Sequence, residues 1–196
     1  MIIETNRLFL EPFSMSHLEG LKKLDSDPIV MRFLGPKKSV EETKEAIKRV
    51  AERWERLGYS WWAQIEKKSG ALIGSACVQN IANDLDAPLE IGWRLLPHAQ
   101  GKGFATEAGA AAMAFAFQTL DAAEVLAIAA PENVSSNKTL VTNQDHQVGS
   151  TGCQTPKRRK ILHFGGELSG RLFRNIDRPI QIALGLTLNV KEGASD

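Results

Sequence analysis

The sequence of 196 residues contains two cysteines, one tyrosine and no long apolar run. With only Cys77 and Cys153 available, it has neither a disulfide framework nor the paired spacing of a zinc site. No stretch approaches the roughly 18 apolar residues that a membrane-spanning helix needs, and the residues after Met1 include no basic region or apolar core of a secretory signal. We therefore expect one cytoplasmic domain of ordinary size without a membrane partner.

An excess of either charge is also missing, since 24 Lys and Arg residues face 23 Asp and Glu residues. A net charge of +1 argues against electrostatic capture of nucleic acid. The four histidines are scattered along the chain without metal-ligand or catalytic-triad spacing. We expect neither a nucleic-acid partner nor a metal.

Helix-start signals occur at two places in the first third of the chain. Ser16 and Glu19 have the spacing of a capping box, which predicts the start of a first helix. Ser39 and Glu42 repeat that spacing ahead of residues 40–57, where apolar residues recur at steps of three and four. The second segment is therefore the clearest helix in the sequence.

Strand signals dominate the middle of the chain. Apolar and aromatic runs bounded by Gly, Pro and polar residues predict strands at residues 7–12, 61–65, 71–79, 89–95 and 124–130. An alanine-rich stretch at residues 106–120 predicts a helix between the last two strands. The order strand, two helices, three strands, helix and strand predicts an α+β (mixed α/β) domain built on one sheet.

The strand at residues 89–95 alternates apolar and polar side chains. One of its faces is therefore predicted to be buried, and the other, which carries Glu90 and Arg94, to meet solvent or a cleft. Trp61 and Trp62 are neighbours in another strand and must face opposite ways. We expect both to pack the sheet, with one of them also able to line an acceptor cleft.

The loop Gln100-Gly101-Lys102-Gly103-Phe104-Ala105 connects that strand to the alanine-rich helix. Glycine permits unusual backbone angles, and successive backbone N–H groups before a helix N-terminus form a concave site for an anion such as pyrophosphate. The dinucleotide fingerprint is not matched, because Thr106 stands where a third glycine or alanine belongs. The nucleoside-triphosphate loop is not matched either, because Lys102 precedes a glycine. A different phosphate ligand is favoured.

These residues resemble the GNAT acetyltransferase superfamily, and within it the RimJ/RimL-like protein N-acetyltransferases. The loop fits the family pattern of Arg or Gln, two residues, Gly, any residue, and Gly or Ala. The similarity covers about residues 1–140. Its further matches are the opening residues 4–10, the strand and proline at 89–97, Asn133 and Ser136.

The resemblance implies a GNAT-like central sheet, mainly antiparallel and flanked by helices, that binds acetyl-coenzyme A (acetyl-CoA). Backbone N–H groups of the glycine loop would hold the pyrophosphate, and the Leu95 N–H would point toward the acetyl or pantetheine portion. Asn133 would lie near the pantetheine arm, a role that is compatible with capping a helix. The implied cofactor-binding residues are Leu95, Gln100, Gly101, Lys102, Gly103, Phe104, Ala105 and Asn133.

Transfer of an acetyl group to an amine requires an uncharged nucleophile and a group or water chain that removes its proton. Glu90 is the candidate base, because the resembling family often places a carboxylate on this strand. An ordinary exposed residue or a partner of Arg94 is an equally weighted interpretation of Glu90. The tyrosine acid frequent in the family is absent, since its place is taken by Leu140, and Tyr59 is the chain's one tyrosine.

The chain departs from the family after Leu140. Residues 141–156 have the composition of a loop or disordered linker, and Lys157-Arg158-Arg159-Lys160 is the densest basic cluster. Late strands are predicted at residues 161–164, 171–173 and 180–190. We therefore divide the chain into an acetyltransferase domain at 1–140 and an atypical C-terminal segment at 141–196. A divergent tail, a shifted reading frame and a segment added in cloning would each produce this pattern.

The sequence leads to one principal hypothesis about function and two alternatives. The principal one is an acyltransferase, an acetyl-CoA-dependent N-acetyltransferase that acts on a peptide or protein N-terminus or on a small amine, as a monomer or a homodimer. The first alternative is a coenzyme A-binding protein with little or no catalysis, because the altered C-terminus spoils the acceptor site. A nucleotide-binding module comes third, because of the mismatches in the loop.

Overall fold

A computed structural model describes residues 1–122, 124–130, 132–139 and 160–164. Within these ranges, the helices are α1 (Leu18–Ser26), α2 (Pro28–Met31), α3 (Val40–Leu57), α4 (Phe104–Gln118) and a short helix at residues 134–139. The strands are β1 (Ile3–Glu4), β2 (Leu8–Pro12), β3 (Trp61–Glu66), β4 (Leu72–Asn80), β5 (Leu89–Leu95), β6 (Glu124–Ile128) and β7 (Lys160–Phe164).

All seven described strands form one sheet in chain order. Strands β1 to β5 pair antiparallel with their neighbours, whereas β6 runs parallel to β5 and β7 parallel to β6. Parallel neighbours need a crossover connection, and α4 provides it between β5 and β6. The prediction of a mixed, mainly antiparallel sheet flanked by helices is confirmed.

Each face of the sheet is covered by helices and has its own apolar core. Trp62 packs with Phe115 of α4 at a ring-centroid separation of 5.2 Å on one face. Trp61, one residue earlier, packs with Leu21 of α1 and Ile47 of α3 on the opposite face. The two tryptophans therefore face opposite ways and pack both cores, as the sequence predicts.

The start and end signals of α3 are confirmed. The Ser39 hydroxyl accepts a hydrogen bond from the Glu42 N–H at 3.1 Å, and the Glu42 carboxylate accepts one from the Ser39 N–H at 2.7 Å. Gly58 ends the helix in the left-handed conformation, with φ of 75°. Such a C-terminal residue is usually glycine because it lacks a Cβ atom.

The predicted cap of the first helix is wrong, because the capping box lies at Ser14 and His17, two residues before Ser16 and Glu19. A short 3₁₀ turn occupies residues Met15–His17, and the Ser14 N–H donates to His17 Nδ1 at 3.1 Å. The Ser16 hydroxyl instead lies 2.7 Å from the Ser14 hydroxyl, so it does not cap α1. An imidazole at the third position takes the part that the sequence assigned to Glu19.

Two boundaries near the ends of elements also differ from expectation. Helix α4 begins at Phe104, two residues before the predicted start at Thr106, because Gly103 is its N-cap. The predicted late strand at 161–164 is found as β7. The strands predicted at 171–173 and 180–190, and the linker predicted at 141–156, lie outside the described residues. None of the described helices has both the length and the apolar character needed to cross a membrane.

Candidate active site

The glycine loop between β5 and α4 adopts the backbone conformation that its sequence predicts. Gly101 and Gly103 have φ of 72° and 79°, a region that residues with a Cβ atom rarely adopt. Gly103 is the N-cap of the 15-residue helix α4, whose first N–H groups have no acceptor within the helix. These N–H groups and the positive end of the helix dipole together favour an anion at the loop.

The loop is fastened to the N-terminal strands by an ion pair that the sequence analysis missed. Arg7 donates from Nη1 to the Lys102 carbonyl at 2.9 Å and from Nε to Glu107 at 2.7 Å. Its guanidinium lies 4.5 Å from the centre of the Phe104 ring. Both ion-pair partners stand in the segments that match the family, but they are 100 residues apart, and no spacing rule connects them.

Glu107 is held ionised by this arrangement. Burial raises its pKa most strongly, but hydrogen bonds from the Thr5 hydroxyl and from the Arg7 backbone and side chain outweigh burial, and the pKa lies below its ordinary value. The Thr5 hydroxyl donates to Glu107 at 2.6 Å, and the Arg7 N–H donates at 2.7 Å. The carboxylate near the anion site is therefore compensated by Arg7.

We expect Glu107→Gln to weaken acetyl-CoA binding about three- to five-fold, because the loop loses a charge-assisted anchor. The variant should also unfold at a lower temperature at pH 7. Because the folded pKa of Glu107 is depressed, its contribution to stability is complete above the ordinary value of 4.5 and disappears as pH falls through the folded value. Calorimetry and thermal unfolding from pH 3 to 8 measure both effects. An unchanged stability difference at low pH would contradict this assignment.

The side chains of the predicted loop residues lie in different environments. The Lys102 side chain is exposed, and its backbone carbonyl is the acceptor for Arg7. Phe104 is buried in the core beneath the loop, and Ala105 is partly buried at the first turn of α4. Gln100 donates from Nε2 to the Leu95 carbonyl at 2.9 Å, which closes the loop onto the end of β5.

The end of β5 leaves backbone groups directed into a gap in the sheet. The Leu96 N–H donates to the Ile73 carbonyl at 2.9 Å, and bonding positions alternate along an antiparallel strand. The Leu95 N–H therefore points away from β4, toward the side of β6. Pairing between β5 and β6 ends at Ile91 and Ala127, so the two strands diverge before Leu95 is reached.

A narrow cleft lies where β5 and β6 diverge. Its lining includes Gly92 and Trp93 from β5, Ala130 after β6, and Phe33 from the loop after α2. Asn133 also lines it, and its side-chain oxygen accepts from the Ser136 N–H at 3.3 Å. The capping role expected for Asn133 is confirmed, while its contact with a ligand stays a prediction.

Glu90 lies in the interior of the sheet and not on an exposed face. Only 3% of its surface is exposed, and Gln79 donates from Nε2 to its carboxylate at 2.7 Å. The Gln79 oxygen accepts in turn from Trp61 Nε1 at 2.8 Å. Arg94 is not its partner, because it donates to Asp25 at 2.6 Å. The two alternative interpretations of Glu90, an ordinary exposed residue and a partner of Arg94, are therefore wrong.

The environment of Glu90 disfavours its ionised form. Burial raises its pKa, and the hydrogen bond from Gln79 only partly opposes the shift. A base whose pKa approaches the working pH is efficient in proton transfer. Carboxyl groups with a shifted pKa beside a cleft are also common at functional sites.

A cavity of about 940 Å³ lies between this face of the sheet and helices α1 to α3. Gln79, Arg94 and Trp61 are part of its lining, so Glu90 is one hydrogen bond from the cavity. Of the two tryptophans, Trp61 lines this cavity, and its contact with an acceptor stays a prediction. Tyr59 lies at the turn after α3 and donates to the Asn80 side chain at 2.7 Å.

The sequence is similar to that of known proteins. Residues 7–159 match the family model described as acetyltransferase (GNAT) domain. The uncharacterized N-acetyltransferase YnaD of Bacillus subtilis (strain 168) is 26% identical over 142 residues, which span 71% of this chain and 79% of that protein.

Solved structures share the fold. A GNAT-family acetyltransferase from Bacillus anthracis superposes with a TM-score of 0.63 at 23% identity, covering 73% of this chain and 82% of that one. A ribosomal-protein α-N-acetyltransferase, RimL, in complex with coenzyme A superposes with a TM-score of 0.62 at 20% identity and the same coverage. At this identity the likeness concerns the fold.

Proposed function

The chain belongs to the GNAT acetyltransferase family, and from this premise we propose that it moves an acetyl group from acetyl-CoA to the amine of a peptide or protein N-terminus or of a small molecule. One observation carries the proposal. The anion-binding loop at Gly101 and Gly103, the gap beside Leu95 and the buried carboxyl of Glu90 follow one another along β5 and its C-terminal end. A phosphate site, a thioester site and a base in that order fit this chemistry.

The loop residues fit the phosphates of coenzyme A. Gly101 and Gly103 provide open backbone, and the Arg7 and Glu107 charges compensate each other nearby. The backbone N–H groups from Gly101 to Ala105 would bind the pyrophosphate. When bound, acetyl-CoA supplies a reactive thioester. The Leu95 N–H would donate to its carbonyl oxygen, which polarises the carbon for attack.

Glu90 would accept the proton that the amine loses as its nitrogen bonds to the acetyl carbon and the carbon–sulfur bond breaks. Gln79 would orient that carboxylate and connect it to the cavity where the amine arrives. The sulfur leaves as a thiolate, and the chain has no tyrosine other than Tyr59 to protonate it. Solvent in the open cavity would therefore provide that proton.

Among the possible amine acceptors, the N-terminus of a protein is one that the comparisons support. The RimL neighbour is a ribosomal-protein α-N-acetyltransferase, and the loop and the strand at residues 89–97 resemble that branch.

The division of the chain into a catalytic domain at 1–140 and a C-terminal segment at 141–196 is also part of the proposal. Strand β7 of the C-terminal segment joins the same sheet.

Ligand-induced stabilisation tests the cofactor assignment. A ligand that binds only the folded state raises the unfolding temperature. We expect acetyl-CoA to raise it by several degrees at about 100 times its Kd, and NAD and ATP to leave it unchanged. An increase with ATP alone would favour a nucleotide-binding module. Binding of acetyl-CoA without transfer to any amine in an acceptor screen would favour the coenzyme A-binding alternative.

A further inference from the structure

The cavity beside α3 carries an excess of positive charge. Among the described residues that line it, six are basic and three are acidic. Asp25, the buried acidic residue, is already engaged, because Arg94 donates to it at 2.6 Å and the Lys38 ammonium lies 3.9 Å away. The Glu42 carboxylate is used at the start of α3, where it accepts from the Ser39 N–H.

Two arginines at the C-terminal end of α3 remain without a carboxylate partner in the described part of the chain. Arg53 and Arg56 are three residues apart, so they lie on neighbouring turns of one helix face. Like charges at this spacing repel. Burial lowers the pKa of Arg53, and the Arg56 charge adds to that shift while Tyr59 opposes it. An anion at this position would relieve the repulsion.

Donors in this part of the cavity are also unsatisfied. Arg53 donates from Nη1 to the Asn83 side chain at 2.6 Å, but no described group accepts from its buried Nε and Nη2 atoms. The Ser60 hydroxyl lines the same cavity, is fully buried and likewise has no partner among the described residues. Unpaired buried donors are costly, and a guanidinium with two free N–H groups matches the two oxygens of a carboxylate.

We propose that the acceptor is an amine that also carries a carboxylate, which binds to Arg53 and Ser60 while the amine lies toward Gln79 and Glu90. This assignment rests on the proposed acetyltransferase function and specifies its substrate class. An N-terminal peptide segment with an acidic side chain and a free amino acid both present this chemistry. Polycationic amines are disfavoured, because the basic lining repels them.

Matched ligands test the proposal by binding, independently of catalysis. Short peptides with a free N-terminus and Glu or Asp at the following positions are compared with twins that carry Gln or Asn there, all amidated at the C-terminus. A free amino acid and its amide form the second arm. Calorimetry in the presence of coenzyme A measures the affinity of each ligand. We expect each acid to bind at least about ten-fold more tightly than its amide twin.

Variants locate the effect. Arg53→Met should abolish the preference for the acid and leave the affinity of the amide twin within about two-fold. Lys68→Gln removes an exposed charge from the turn between β3 and β4 and should keep the full preference. Equal affinities of acid and amide in the wild-type protein, or a preference that survives in folded Arg53→Met, would overturn the inference.

Transfer assays with the same ligands separate this inference from the proposed function. Acetylation of acid and amide twins with equal KM supports the acetyltransferase and removes the carboxylate site. A carboxylate preference in binding without transfer to any ligand supports the site and contradicts the proposed reaction. When both hold, Arg53→Met should raise KM for the acid peptides about ten-fold with little change in kcat. Whether the peptides or the free amino acid bind more tightly shows which of the two carries the recognised carboxylate.

Discussion

Replacing Glu90 by Gln should lower kcat by about 100-fold and change the Kd for acetyl-CoA less than two-fold, if Glu90 makes the usual contribution of a positioned base. Glutamine keeps the size of the side chain and an oxygen that can accept from Gln79, but it cannot accept a proton. Steady-state kinetics with a saturating amine and calorimetry with acetyl-CoA measure the two quantities. Glu55→Gln, an exposed change on α3, is the matched control and should be unaffected.

The pH dependence identifies the role of Glu90 more sharply than the rate does. A base works when it is deprotonated, so the wild-type rate should rise with pH through the Glu90 pKa, which burial places above the ordinary 4.5. This limb should vanish in Glu90→Gln, while the limb that reports deprotonation of the substrate amine remains. A variant with an unchanged pH profile would show that Glu90 is not the base.

Loss of stability does not explain the expected loss of activity. A carboxyl with a raised folded pKa favours the protonated form, so its contribution to stability is complete at low pH and is lost as pH rises through the folded value. Once it is ionised, the buried Glu90 carboxylate therefore lowers the stability of the folded state. Glu90→Gln should unfold at the same temperature as the wild type or higher. A strong decrease would indicate a structural role.

Local signals predicted the parts of the site that neighbours in sequence determine. The capping box at Ser39 and Glu42 depends on atoms within one turn, and it is formed as expected. The glycine loop depends on backbone freedom at Gly101 and Gly103, and the structure has both in the left-handed region. Each of these features is specified by a few residues whose energetics are mostly local.

The parts that the sequence could not predict depend on contacts between distant segments. Alternation along β5 identified the face of Glu90 but not what covers it, because Gln79, Trp61 and helices α1 to α3 come from other segments. The clamp of Arg7 on Glu107 joins residues 100 positions apart. The prediction of the first helix cap was wrong for a different reason, because Ser14 and Ser16 each have a possible capping-box partner three residues later.

Gly103→Val should raise the Kd for acetyl-CoA about 30-fold or more, because the loop must leave the conformation in which its N–H groups would bind a phosphate. Gly103 has φ of 79°, and a β-branched residue is strained there. A Cβ atom at this position would also lie 3.4 Å from Arg7 Nη2, so relaxation of the backbone would disturb the clamp on the loop.

Gly70→Val separates this effect from strain alone. Gly70 lies in the turn between β3 and β4 with φ of 66°, and a Cβ atom added there would meet no other atom within 4 Å, so valine imposes similar backbone strain far from the loop. Both variants should lose stability to a comparable extent in thermal unfolding, because each forces a β-branched residue to a positive φ. Only Gly103→Val should lose acetyl-CoA affinity in calorimetry. If folded Gly103→Val binds acetyl-CoA as tightly as folded Gly70→Val, the loop is not part of the binding site.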